Sequence, residues 1–245
     1  MPQQVGFSVR IQLGWLEQVA FLVDSGKSRD EIKTLLDDFL ADKLSGTGKA
    51  HRGSRQKAVT ILLKTWVNVA EEHVALRDEG LTLLRQLPPN ERLALHWGMT
   101  MVAYPFFGTV AEITGRYLRL QDYVSAAQVQ RRICELMGER ETVSRATRRI
   151  LRCFVDWGVL EDTHNKGISK ATKRISLEED YLTAWLLEAY LISTGASSGM
   201  LKAVADTPAL FPFGVNQISP IIFDSSNRLE LFKQGLDEDI LALRH

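Results

Sequence analysis

The chain has 245 residues, enough for one large domain or two to three small ones, and its 45% hydrophobic and 24% charged content is that of a globular protein. Thirty Lys and Arg balance thirty Asp and Glu, so no histone-like arm is present, but the charge is unevenly distributed. Thirteen cationic residues stand against seven acidic ones between residues 116 and 176, and four against ten from 177 onward: a basic centre and an acidic tail.

Apolar residues at 11, 15, 16, 19, 22 and 23 predict a helix over 11–25, closed by Gly26. Ser28 and Glu31 form a capping box for a second helix that buries Ile32, Leu35, Leu36, Phe39 and Leu40. A polar Gly-rich loop follows. A third helix is expected from near Ser54, with Ala58, Ile61, Leu62, Thr65, Trp66 and Val69 inward. The loop and the first half of this helix hold Lys43, Lys49, Arg52, Arg55, Lys57 and Lys64 with no acid among them. That run suits a solvated linker or a second phosphate-contacting patch equally. GTGK at 46–49 is not a phosphate loop, because the required first Gly falls on Lys43 and the final Ser or Thr on Ala50.

Residues 71–87 continue helically to the stop at Pro88 and Pro89. Asn90 is placed to cap a helix over 91–104, and Pro105 opens another over 106–119. Residues 93–111 lack any Asp, Glu, Lys or Arg, yet Pro105 interrupts them and their aromatic residues lie mid-segment. They read as two buried helices and not as a membrane span. No secretory signal is evident at the N-terminus, and a cytoplasmic location is expected.

Ser125 and Gln128 suggest a further capping box, opening a helix with Val129, Ile133 and Leu136 inward and Arg131 and Arg132 on its flank. Gly138 ends it. The segment 142–158, TVSRATRRILRCFVDWG, then divides by helical spacing. Val143, Ala146, Thr147, Ile150, Leu151 and Phe154 take one side; Arg145, Arg148, Arg149 and Arg152 take the other. Like charges at this spacing cost a few tenths of a kcal/mol per pair, a cost that an anionic partner along the face would remove. Ser144 or Thr142 lies near enough to the helix start to reach a phosphate. Strands at 159–162 and 173–177 are expected to form a hairpin whose tip and second strand carry Lys166, Lys170, Lys173 and Arg174. Helix, helix, turn, helix and basic hairpin is the order of a winged helix-turn-helix, a footprint for double-stranded DNA. Such an Arg face fits phosphate contact as well as guanine recognition.

The alternative is a protein-interaction scaffold, in which the acidic Asp237, Glu238 and Asp239 occupy the Arg face. Beyond this, a helix is expected over 179–192 and another over 199–206, then strands at 218–224 and 228–233 around a turn; residues 237–240 carry no assignable pattern. The five histidines are scattered, and no zinc, nucleophile-elbow or cofactor motif occurs. Cys134 and Cys153 read as reduced core residues. No enzyme, cofactor or metal is therefore expected.

Three stretches resemble, in order, the BrxA family of BREX phage-defence systems: FLADKLSGTGKAHRGSRQKAV at 39–59, LALHWGMTMVAYPFFGTVAEITG at 93–115, and RATRRILRCFVDWGVL at 145–160, leading to a hairpin. The resemblance covers roughly residues 10–178 and leaves 178–245 outside it. It implies a small helical protein with similarity to the NusB fold that binds double-stranded DNA without catalysis, alongside other proteins of a defence system. A NusB-like RNA binder using the same basic face is the alternative it leaves open. The expected architecture is mainly α: a helical region over 1–90, a winged helix-turn-helix region over 91–178, and a small α+β region over 179–245.

Overall fold

Amphipathic periodicity dominates the sequence, and the computed structural model is accordingly mainly helical with a small sheet component. It describes residues 5–44, 49–215, 219–224, 226–234 and 238–244. Helices α1 (Leu13–Asp24), α2 (Arg29–Ala41) and α3 (Lys49–Trp66) pack on one another at the N-terminal end. The capping box of α2 forms as expected: the Glu31 backbone N–H donates to Ser28 Oγ, and the Ser28 backbone N–H to Glu31 Oε2 at 2.8 Å. Helix α3 starts at Lys49 rather than near Ser54 and ends before Val69. Leu35, expected inside, is exposed.

Helix α4 (Val74–Gln86) follows a short 3-10 turn at Glu71–His73. Helix α5 (Arg92–Ala103) is capped by Glu91 without a side-chain hydrogen bond, so Asn90 is not its cap. Helix α6 (Pro105–Gln121) begins at the proline, which needs no N–H in a first turn. Every residue of 93–101 is buried, and among the described residues no helix is long and apolar enough to cross a membrane.

Strand β1 (Tyr123–Ser125) was not foreseen. Ser125 occupies the N-cap position of α7 (Ala126–Met137) but makes no capping bond, and the Gln128 side chain bonds Gln121 instead. Gly138, with φ of +88°, turns the chain into α8 (Glu141–Asp156). Strands β2 (Leu160–Asp162) and β3 (Ile168–Ala171) form an antiparallel hairpin, and β1 adds to β3, giving the order β1-β3-β2. The expected second hairpin strand at 173–177 is thus corrected to 168–171. Residues Ile175–Ser176 form β4, which pairs in parallel with β6 (Phe213–Gly214).

The remaining elements are α9 (Asp180–Thr194), β5 (Ser198–Met200), α10 (Leu201–Ala205), α11 (Ile221–Asp224), β7 (Leu229–Gln234) and β8 (Glu238–Leu243). Residues 221–224 are helical where a strand was expected. The otherwise unassigned 238–240 open the central strand of a β5-β8-β7 sheet.

One apolar core joins these parts. At its middle, the Trp97 ring stacks on Phe154 with centroids 5.0 Å apart and meets Phe107, Trp157, Phe211 and Phe213 edge-on. Such pairs add about 0.5–1.5 kcal/mol each beyond the area they bury. Two close approaches need glycine: a Cβ on Gly98 would stand 2.6 Å from the Trp185 ring of α9, and one on Gly115 would stand 2.0 Å from the Pro208 carbonyl oxygen.

Candidate nucleic-acid interface

The expected division of α8 is realised. Val143, Ala146, Thr147, Ile150, Leu151, Cys153 and Phe154 are buried, and Arg145, Arg148 and Arg152 are exposed, with Arg149 half-buried. Helices α6 and α7 and strand β2 pack against α8. Its C-terminal end is held from behind by the N-terminal segment. Arg10 donates to both oxygens of Asp156, at 2.6 and 2.7 Å from one nitrogen, and the Trp157 indole N–H donates to the Ile11 carbonyl at 2.8 Å. The Ile11 N–H points to Cys153 Sγ at 3.3 Å; burial pushes that thiol up to about 12, so it stays neutral. The Arg face is therefore presented on a fixed support.

Half of the four-Arg stripe is already partnered. Arg145 pairs with Glu141 one turn earlier. Arg152 Nη1 donates to Asp162 Oδ2 at 2.6 Å, bridging α8 to β2, and Ser169 Oγ donates to the other Asp162 oxygen at 3.1 Å. The Arg152 hydrogen bond, with help from Ser169, holds the Asp162 carboxyl below its ordinary value. Among the described residues neither Arg148 nor Arg149 has an ion pair. Arg149 has its pKa lowered, first by burial and then by Arg145 and Arg148, the direct effect of like charges sharing a face.

The hairpin carries two of the four expected cations. Lys166 is exposed in the tip, and Lys170 is exposed on β3, where it meets Glu161 of β2 at 3.0 Å. Lys173 and Arg174 lie past the sheet, in the link to β4. Arg174 lines a cavity of about 750 Å³ with Arg119, Lys202, Glu238 and Asp239. Those two acids thus line this cavity, and among the described residues neither pairs with an Arg of α8; Asp237 lies outside the described residues. On α7, Arg131 and Arg132 are exposed, and Arg132 pairs with Glu135 at 2.9 Å. Thr142 is exposed near the start of α8, whereas Ser144 is half-buried against Cys134, with Oγ to Sγ at 3.4 Å.

The second basic patch lies on α3. Helix α3 packs on α1, α2 and α5. Arg55 is half-buried and pairs with Asp37 at 3.6 Å, Lys57 is exposed, and Lys64 lies over the Tyr104 ring at 4.6 Å. The side chains of Lys49 and Arg52 lie outside the described residues.

Glu141, Glu161 and Asp162 are the site residues that the sequence reading passed over. Glu141 and Arg145 are at i and i+4, so the spacing announced that pair. Asp162 meets Arg152 only because the chain reverses after α8, a contact without a local signal. Elsewhere, His96 is fully buried, and its Nε2–H donates to Glu17 at 2.7 Å. Among the described residues no cluster of three His, Cys, Asp or Glu side chains is arranged to hold a metal ion. No family model, curated protein or solved structure matches the chain.

Proposed function

We propose that residues 105–171 form a winged helix-turn-helix and that the protein binds double-stranded DNA through it without catalysing a reaction. The observation that carries this is the rigidly backed helix α8, whose Arg face stands beside an antiparallel hairpin with Lys166 at its tip. The chain order α6, β1, α7, α8, β2, β3 and the β1-β3-β2 sheet support the winged form. In this arrangement α8 enters the major groove. Arg145, Arg148, Arg149 and Arg152 meet phosphates or base edges, Arg131 and Arg132 flank them, and Lys166 and Lys170 reach the adjacent backbone. Lys173 and Arg174 follow the wing and do not form part of it. The ordered resemblance to the BrxA family supports the further reading that this binding is an accessory activity of a bacterial anti-phage defence system, with other proteins of that system as partners.

The test is a titration of fluorescently labelled duplex DNA, duplex RNA and single-stranded DNA against salt. Phosphate contact predicts log K for duplex DNA falling with log salt, by about 0.9 for each phosphate neutralised. Arg148→Glu with Lys166→Glu, both at exposed sites, is expected to flatten that slope by about two and to leave the thermal midpoint unchanged. Unaltered duplex binding in the folded double variant would remove α8 and the wing from the interface. Preference for duplex RNA would favour the NusB-like alternative, and absence of binding at low salt the scaffold.

A further inference from the structure

On α8 and the wing, Arg148, Arg149 and Lys166 hold no acid among the described residues, whereas Arg145, Arg152 and Lys170 each hold one. The three acids are not placed by the demands of the core. Side-chain exposure is 71% for Glu141, 50% for Asp162 and 53% for Glu161, so each pair is solvated and weakly held. Each also puts a carboxylate on the very group that a phosphate would approach. Asp162 is the most elaborate case. One oxygen takes the Arg152 guanidinium and the other takes the Ser169 hydroxyl, the same donor types that protein surfaces offer to a phosphate.

We propose that Glu141, Glu161 and Asp162 act as phosphate surrogates on this face and hold its affinity for duplex DNA below what its cations permit. The inference rests on the duplex-binding reading. In the free protein each carboxylate occupies one cation. On binding, that cation exchanges its carboxylate for a phosphate, and the released carboxylate is left within a strongly negative field. It recovers a counterion from solution, which cancels one of the counterions released from the DNA. The salt dependence of binding therefore reports only the cations without surrogates. Affinity kept low in this way favours exchange between sites over long residence at one.

The experiment compares the wild-type protein with Glu141→Gln/Glu161→Gln/Asp162→Asn by fluorescence anisotropy on a duplex of about 20 base pairs, between 50 and 200 mM NaCl. The triple variant is expected to bind more tightly at every salt concentration, with a slope steeper by about 2.7. Its advantage over the wild type then shrinks about 40-fold across that fourfold range of salt. Wild-type binding with the same slope in both proteins overturns the surrogate role and leaves the duplex reading standing. No binding by either protein at 50 mM salt overturns both. If circular dichroism finds the triple variant unfolded, Glu141→Gln/Glu161→Gln, which spares the Asp162 bonds to Arg152 and Ser169, is read instead. It is expected to steepen the slope by about 1.8, and an unchanged slope overturns the inference.

Discussion

At the scale of single residues, His96 carries a cost that the fold tolerates. It is fully buried, one ring nitrogen bonds Glu17, and the other has no partner among the described residues. Burial lowers its pKa by more than the Glu17 hydrogen bond restores. The folded state therefore binds that proton more weakly than the unfolded chain does. Its stabilising contribution is complete above the unfolded value of about 6.5 and is lost as pH falls below it. Glu17 adds a loss at lower pH. Burial alone would raise its carboxyl, but His96 and Arg92 outweigh that and hold it low, so its contribution fades as pH drops below the ordinary carboxylate range. Unfolding free energy should decline between pH 7 and 5, and His96→Gln should flatten that decline; an equal decline in the variant would assign it elsewhere. The Arg stripe was legible because helical period alone puts four residues on one face. Its partial neutralisation was not, since Arg152 meets Asp162 across a reversal of the chain.

At the scale of elements, the long helices were legible, whereas β1, β5 and the four-residue helix at Ile221–Asp224 were not. Eight or more residues repeat the 3.6-residue pattern often enough to be recognised, whereas β1 and β5 are three residues long and show no alternation to read. Residues 173–177 look like a strand because Ile175 and Leu177 alternate with polar neighbours. Of these, Ile175 and Ser176 pair instead with residues 213–214, a partner supplied from a distant part of the chain, and the hairpin closes on 168–171. Close packing between elements is equally silent in sequence. Gly115 lets α6 approach the Pro208–Leu210 turn so closely that a methyl group would meet the Pro208 carbonyl. The obstacle is backbone, with no flexible side chain to yield. Gly115→Ala is expected to destabilise the protein by about 1–3 kcal/mol, measured by chemical denaturation. A neutral result would mean that the turn shifts freely.

At the scale of the molecule, in a C-terminal part for which sequence offered no role, a partly buried charge cluster adds to the shared apolar core and joins Arg228, just before β7, to α9 and α4. Arg228 donates to both oxygens of Glu188 on α9, at 2.7 and 3.0 Å, and also meets Glu79 of α4. Glu188 is 4% exposed, and burial raises its carboxyl despite Arg228. Removing the cation alone strands that carboxylate. Arg228→Met should cost about 3 kcal/mol in chemical denaturation, and adding Glu188→Leu should recover most of the loss. If the single variant loses nothing, the cluster does not hold β7 to α9 and α4. These residues lie 40 apart in sequence, and neither looks unusual in its own neighbourhood.

The clasp between Arg10 and Asp156 joins residues separated by 146 positions. During translation the first apolar helix leaves the ribosome long before its anchor exists. At about 5–20 residues per second the interval is roughly 7–30 s. For that time Trp15, Leu16 and Val19, later sealed in the core, depend on α2, α3, α4 and α5 to cover them as each emerges. The contacts that brace the Arg-bearing helix from behind close only after Asp156 and Trp157 have emerged, so the nascent chain acquires a firm cationic face no earlier than that.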